Sequence, residues 1–231
     1  MTNAIIMASG MGTRMRPLTE TTPKPLIKVG DRPMIETVLE GLKNAGIDKF
    51  IIVTGYLGDQ FDYLKEKYPN VVIVRNTVYE TVNNISSVYA AKDYLLEGDC
   101  FICEADLYVS DPTLFAEKLN GSCYFGKMVK GFSDDWVFDT DKDGIITRVG
   151  KKGTDCYNMT GIAFLKKEDA ATLYNAIREE YEKPGYEDLF WDDVVDRHIS
   201  EFKLTVHPIK NESIIEIDTV EELEEVRGRI K

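Results

Sequence analysis

Between Met7 and Leu26 the chain reads MASGMGTRMRPLTETTPKPL, with two glycines, two arginines and one lysine held between prolines. Residue types in this order can hold an anion. Gly10 and Gly12 allow close backbone approach and positive φ, which turns amide N–H groups toward a ligand. Arg14 follows directly. Pro23 and Pro25 stiffen the backbone around Lys24, so its ammonium is presented at one place. Residues 1–35 carry Arg14, Arg16, Lys24, Lys28 and Arg32 against only Glu20 and Asp31, in a chain of net charge −12. Glycine turn, arginine and constrained lysine together fit a polyphosphate cradle. Two familiar phosphate motifs do not fit, because Met15 stands where a dinucleotide fingerprint needs its third glycine and no G-K-[ST] follows. An ordinary strand-to-helix turn is the other reading of the glycines.

Carboxylates stand at the ends of apolar runs farther along. CEADLY places Asp106, and IIEIDTV places Asp218 with Glu216 two residues earlier on the same face. Such oxygens can hold a hard divalent cation, or cap a following helix, as Asp218 would before Thr219. Both tryptophans lie among acids, Trp136 in FSDDWVFDTD and Trp191 in YEDLFWDDVVD. Residues 186–196 hold five acids, no base and three aromatics. Aromatic faces beside carboxylates can hold a quaternary ammonium, each cation–π contact contributing roughly 0.5–2 kcal/mol. Phe190, Trp191, Val194, Val195 and Ile199 equally form an apolar helical stripe facing a core. His198 and His207, the only histidines, read as structural or surface residues.

The elements that must position these groups follow from periodicity. NAIIMA, KFIIVTG, VVIVRN and CFICEAD read as strands, with helical patterns in PMIETVLEGLKNAG, LGDQFDYLKEKY and ISSVYAAKDYLL between them. That alternation predicts right-handed crossovers and a parallel sheet covered on both faces. SCYFGKMV, WVFDTD, GIITRV and YNMTGIAFL, separated by DKDG and KKGTD turns, predict an inserted antiparallel region. KEDAATLYNAIREEYEK and DLFWDDVVDRHI then read as helices, FKLTVHPI and SIIEID as strands, and VEELEEVRGRI as a closing helix. The fold class is α/β, a mixed and mostly parallel sheet with helices on both faces. With 231 residues, 43% of them hydrophobic, the chain reads as one domain over 1–231. If the glycine turn holds a nucleotide, the nucleotide-binding half covers about 1–110 and a half for the acceptor about 111–231.

A pI near 4.7 argues against nucleic acid or an anionic membrane as the partner. No run of roughly 20 apolar residues predicts a membrane span, and the amino terminus lacks a signal-peptide pattern, so a cytoplasmic location is expected. Cys100 and Cys103 form CxxC inside a strand, where alternation sends them to opposite faces; with Cys123 and Cys156 they read as buried reduced thiols.

The stretch GMGTRMRPLTETTPKPL resembles the G-x-G-T-R-[LM]-x-P-L-T-x-x-x-P-K-P/A-L signature of the nucleoside-triphosphate transferases, the sugar-nucleotide pyrophosphorylase-like family. That resemblance implies a Rossmann-like sheet of the nucleotide-diphospho-sugar transferase type. It also implies a triphosphate held by Ala8, Ser9, Gly10, Met11, Gly12, Thr13 and Arg14, with Lys24 serving the reacting α-phosphate and Mg2+ on Asp106, Asp218 and Glu216. Along the whole chain, GYLGDQFDYLKEKY, VNNISSVYAAKDYL, DLFWDDVV and ESIIEIDTV look like the bacterial CTP:phosphocholine cytidylyltransferases. Read through that likeness, the partners are CTP and phosphocholine and the product CDP-choline. Gly55, Tyr56, Asn83, Ser86, Ser87 and Glu104 fall to the nucleotide, although NNISS is also an unexceptional turn. Trp136, Asp188, Phe190, Trp191 and Asp192 fall to the acceptor. Phosphoethanolamine or 2-aminoethylphosphonate as acceptor, a sugar 1-phosphate, and a non-catalytic nucleotide sensor are the rival readings. A homo-oligomer, or fusion to a kinase or transferase domain, stays open.

Overall fold

Runs of Ile, Val and Phe form the centre of the sheet because β-branched and aromatic side chains pack well on a pleated surface. The computed structural model describes residues 2–230. In chain order the elements are β1 (Thr2–Ala8), β2 (Lys28–Val29), β3 (Arg32–Pro33), α1 (Met34–Asn44), β4 (Phe50–Thr54), α2 (Leu64–Lys67), β5 (Val71–Arg75) and α3 (Ile85–Ala90). There follow β6 (Asp99–Glu104), β7 (Leu107–Val109), β8 (Cys123–Thr140), β9 (Ile146–Leu165), α4 (Lys167–Tyr181), α5 (Trp191–Arg197), β10 (Thr205–Pro208), β11 (Ile214–Glu216) and α6 (Val220–Arg229).

A 7-stranded sheet runs in the order β10-β8-β9-β6-β1-β4-β5. β1 pairs in parallel with β4 on one side and β6 on the other, so the chain reverses its direction of travel across the sheet at β1. Ligands of open α/β sheets bind at such a switch point, beyond the carboxyl ends of the strands. The glycine turn begins there. Both faces of the sheet are covered. Ile5, Ile51 and Ile102 pack with Val88, Leu173 and Val194 on one face, and Ile6, Ile52 and Phe101 pack with Val38, Leu39 and Leu42 on the other. Cys100 lies in the first cluster and Cys103 in the second, as strand alternation requires. No helix of the described residues is long and apolar enough to cross a membrane.

Several elements differ from the periodicity. The patterns over 57–68 and 85–96 do not run as continuous helices. Gly58–Phe61 and Lys92–Leu96 are 3-10 turns beside the short α2 and α3. Leu57 has φ +48°, outside the α-helical region, so the helical pattern cannot start there as a regular helix. The four middle strand runs are two long strands, β8 and β9. Their DKDG connection is a turn, closed by Asp141 accepting from the amides of Asp143 and Ile145, both at 2.9 Å. KKGTD is instead a bend within β9, with positive φ at Lys152 and Asp155. β11 leaves the main sheet to pair antiparallel with β7, Glu216 opposite Leu107. This ribbon brings the late carboxylates to Asp106.

On one flank, Glu180 of α4 is 3% exposed and accepts from Arg197 of α5 at 2.6 Å, Lys183 at 2.7 Å and His198 at 3.1 Å. Burial disfavours its charge, but these three donors outweigh burial and hold the carboxyl down at about 2. Glu179 lies beside them, and the cluster's charge is already met by Lys183 and Arg197. A depressed carboxylate adds stability above its unfolded pKa, and that stability is lost as pH falls through the folded value. Discounted for solvent around Lys183 and Arg197, Glu180→Gln should cost about 1–2 kcal/mol at pH 7. Denaturant unfolding should show the difference shrinking between pH 5 and pH 2; a difference independent of pH would refute the assignment.

Candidate active site

Turn, lysine and carboxylates meet at the end of β1. Gly12 takes a left-handed conformation, φ 60° and ψ 38°, and its carbonyl accepts from Thr19 Oγ1 at 2.8 Å. A Cβ on Gly12 would lie 2.8 Å from Lys24 Cβ, so glycine is what lets the Lys24 segment close over the turn. Lys24 itself is 6% exposed. Its Nζ donates to Asp106 Oδ2 at 2.6 Å and to Asp218 Oδ1 at 2.7 Å. Burial works to lower the Lys24 pKa, but the two carboxylates outweigh it and raise the ammonium to about 12. Arg14 adds a second cation to Asp218 at 2.8 Å. Burial notwithstanding, these cations hold the Asp218 carboxyl below its ordinary value. Asp106 and Asp218 thus aim oxygens at one point, and hard donors converging in this way suit a divalent cation such as Mg2+. Glu216, also on the cavity wall, keeps part of its surface in solvent, but partial burial of its carboxyl and then Asp218 and Asp106 push its pKa up.

Three cavities adjoin here. One of about 280 Å³ is lined by Ala8, Gly10, Gly12, Thr13, Arg14, Lys24, Asp106 and Asp218. A second, about 140 Å³, is walled by Ser9, Gly10, Asn76, Tyr79, Asn83 and the hydroxyls of Ser86 and Ser87. Ser87 donates to Ser9 at 3.2 Å and Asn76 to Ser86 at 2.8 Å, which fixes this wall to the turn. The third, about 460 Å³, is lined by Glu104, Asp135, Trp136, Lys151, Phe190, Asp192 and Glu216 as well as Asp106 and Asp218. Gly10 lines all three, and a Cβ there would meet nothing within 4 Å. A larger cavity of about 590 Å³, between Lys28, Arg32, Glu36 and Tyr63, contains none of these groups.

The third cavity is strongly acidic. Asp192 is 3% exposed and accepts from the Tyr124 hydroxyl at 3.1 Å. Burial, with help from Asp193, pushes its pKa up to about 7 despite that bond. Glu104 is pushed well above the carboxylate range, first by burial and then by Asp106, Glu216 and Asp192. Trp136 and Phe190 meet edge to face with centroids 5.5 Å apart.

Four groups of expected residues stand apart from these cavities. Trp191 is core, 4% exposed and stacked on Tyr124 at 5.5 Å, so the apolar-stripe reading describes it. Asp188 is exposed, and its backbone carbonyl accepts from Asn83 at 3.3 Å. Met11 is 37% exposed. Gly55 packs under the Tyr79 ring, and the Tyr56 hydroxyl is occupied in donating to Thr19 O at 2.9 Å. Glu104 lies in the acidic cavity and not beside Asn83, Ser86 and Ser87. Asn76, Tyr79, Asn84, Asp135, Lys151 and Met159 also line cavities without having been singled out. Lys151 becomes visible only once β8 and β9 are paired, because it is the partner of Trp136.

Fold and site together define a nucleotidyltransferase. A family model described as nucleotidyl transferase matches residues 3–120, and the chain belongs to that family. It is 53% identical to a 2-aminoethylphosphonate cytidylyltransferase of Lancefieldella rimae, over 96% of this chain and 90% of that one. Identity to a choline-phosphate cytidylyltransferase of Streptococcus pneumoniae is 36%, over 99% of this chain and 98% of the other. The solved structure of CTP:phosphocholine cytidylyltransferase from Streptococcus pneumoniae superposes with a TM-score of 0.91 at 35% identity, covering 100% of this chain and 99% of that one. These relatives, each spanning nearly the whole chain, are cytidylyltransferases, and cytidylyltransferase is the activity they support here.

The two glycines should separate binding from folding. Gly10→Ala puts a methyl at the junction of the cavities without touching protein, and should keep thermal stability while lowering kcat/KM for the nucleotide about 100-fold. Gly12→Ala, forced into positive φ against Lys24, should cost about 1–3 kcal/mol of stability. Equal thermal losses in the two variants would contradict this division.

Proposed function

We propose that the chain transfers a cytidylyl group from CTP to a small acceptor with a phosphonate or phosphate at one end and an amine at the other, and that 2-aminoethylphosphonate is the preferred acceptor. An oxygen of the acceptor attacks the α-phosphorus in line, the α–β P–O bond breaks, and pyrophosphate leaves. Lys24, Arg14 and the amides of the glycine turn stabilise charge as the leaving group departs. Asp106 and Asp218, with Glu216 beside them, would hold Mg2+, which neutralises phosphate charge when bound. No general base is required, because a phosphoryl acceptor with a second ionisation near pH 6 is already largely dianionic. His198 is engaged by Glu180 and Glu201, His207 Nε2 lies 3.0 Å from Glu117, and neither histidine lines the three cavities. Ser9, Asn83, Ser86 and Ser87 offer hydrogen bonds for the nucleotide.

The observation that carries the acceptor assignment is the crowding of Glu104 and Asp192 in one cavity, both pushed toward the neutral form. A cationic ligand relieves that repulsion. A primary ammonium has three N–H donors for carboxylate oxygens, whereas a trimethylammonium has none and takes its binding from aromatic faces. The 53% identity to a 2-aminoethylphosphonate cytidylyltransferase supports the same choice. Phosphocholine is the second reading, favoured by the Trp136–Phe190 pair. Pyrophosphate release from CTP with Mg2+, compared across 2-aminoethylphosphonate, phosphoethanolamine and phosphocholine, decides between them. The kcat/KM for 2-aminoethylphosphonate should exceed that for phosphocholine at least about tenfold, a difference near 1.4 kcal/mol. The reverse order would replace the acceptor, and no pyrophosphate with any of the three would remove the proposal.

A further inference from the structure

The acidic cavity holds one ammonium of the chain's own. Lys151 is the cross-strand partner of Trp136 on the β8–β9 hairpin. Its Nζ lies 5.6 Å from the Trp136 ring centroid and 6.0 Å from that of Phe190. Those two rings stand at 68° to one another, forming a corner with two faces. Among the described residues Lys151 makes no ion pair within 4.0 Å, while both ring faces lie within 6.0 Å of its ammonium. An aromatic corner opening on an acidic cavity is the kind of site that binds a quaternary ammonium. Here it is filled.

We propose that Lys151 is a specificity-determining residue that selects against quaternary ammonium acceptors. A trimethylammonium group needs ring faces, because it has no N–H to donate. To use Trp136 and Phe190 it must displace the Lys151 ammonium and endure its like charge. A primary ammonium can bind Glu104 and Asp192 by directed hydrogen bonds and leave the corner to Lys151. The same hairpin therefore carries both the aromatic surface and the group that withholds it. The inference rests on the reading of this cavity as the acceptor site.

The test is steady-state kinetics with CTP, using 2-aminoethylphosphonate and phosphocholine as acceptors, on the wild type, Lys151→Ala and Lys151→Arg. Lys151 is exposed, so both variants should melt with the wild type. In Lys151→Ala the ratio of kcat/KM for phosphocholine to that for 2-aminoethylphosphonate should rise about 2- to 30-fold, the span of one to several freed ring contacts. The gain should come mainly from a lower KM for phosphocholine. Lys151→Arg keeps a cation over the rings and should stay near the wild-type ratio. An unchanged or lower ratio in Lys151→Ala, or an arginine variant that behaves like the alanine one, overturns the proposal. A wild type that prefers phosphocholine removes the acceptor assignment while the change in ratio still judges Lys151. A protein that uses neither acceptor removes both.

Discussion

A buried ammonium between two carboxylates organises this molecule. Lys24 reaches Asp106 and Asp218 from a segment held by Pro23 and Pro25, and the three residues come from widely separated parts of the chain. Isolated, each charge would be costly to bury; together they satisfy one another. Their position is set by two devices. The left-handed Gly12 lets the lysine segment close on the turn after β1, and the β7–β11 ribbon carries Asp218 back to Asp106. Remove either device and the charges no longer meet at the switch point of the sheet.

The same cluster explains how one cleft can treat its two substrates differently. Positive charge is concentrated at the glycine turn, where Arg14 and Lys24 face a cavity suited to a polyanion. Carboxyl groups crowd the adjoining cavity, where burial and then Asp106, Glu216 and Asp192 push Glu104 well above the carboxylate range. Asp106 and Asp218 belong to both cavities. On the proposed function, an acceptor with an anionic head and a cationic tail would enter that gradient in one orientation, its head toward Lys24 and its tail toward Asp192. Orientation of this kind supplies much of the advantage in a reaction whose chemistry needs positioning more than proton transfer.

Much of the fold was legible because its signals are local. The β-branched runs, the α1 and α4 periodicities and the glycine turn each declare themselves within a short window, and the parallel centre of the sheet follows from their alternation. The residues that line the cavity at the end of β1 were legible for the same reason, since Gly10, Gly12, Arg14 and Lys24 lie within one short stretch. Partnerships between distant segments were not. Trp191 and Phe190 are neighbours in sequence, yet one stacks in the core on Tyr124 and the other lines the cavity, a division made by the start of α5, where the Trp191 amide donates to Asn84. Lys151 carries no signal until β9 is set against β8. Gly55 and Tyr56 follow a strand just as the glycine turn does, but their places are taken by Tyr79 and Thr19 O.

On the proposed function, a divalent cation and the α-phosphate would compete for the charges that now pair within the chain, and binding would rearrange the Lys24 cluster and leave the fold alone. The structure of the protein with CTP and Mg2+ tests this most directly. The account predicts the metal on Asp106 and Asp218, with the Lys24 ammonium released from at least one carboxylate and hydrogen-bonded to an α-phosphate oxygen. A triphosphate seated elsewhere, with Lys24 still bridging both aspartates, would contradict it.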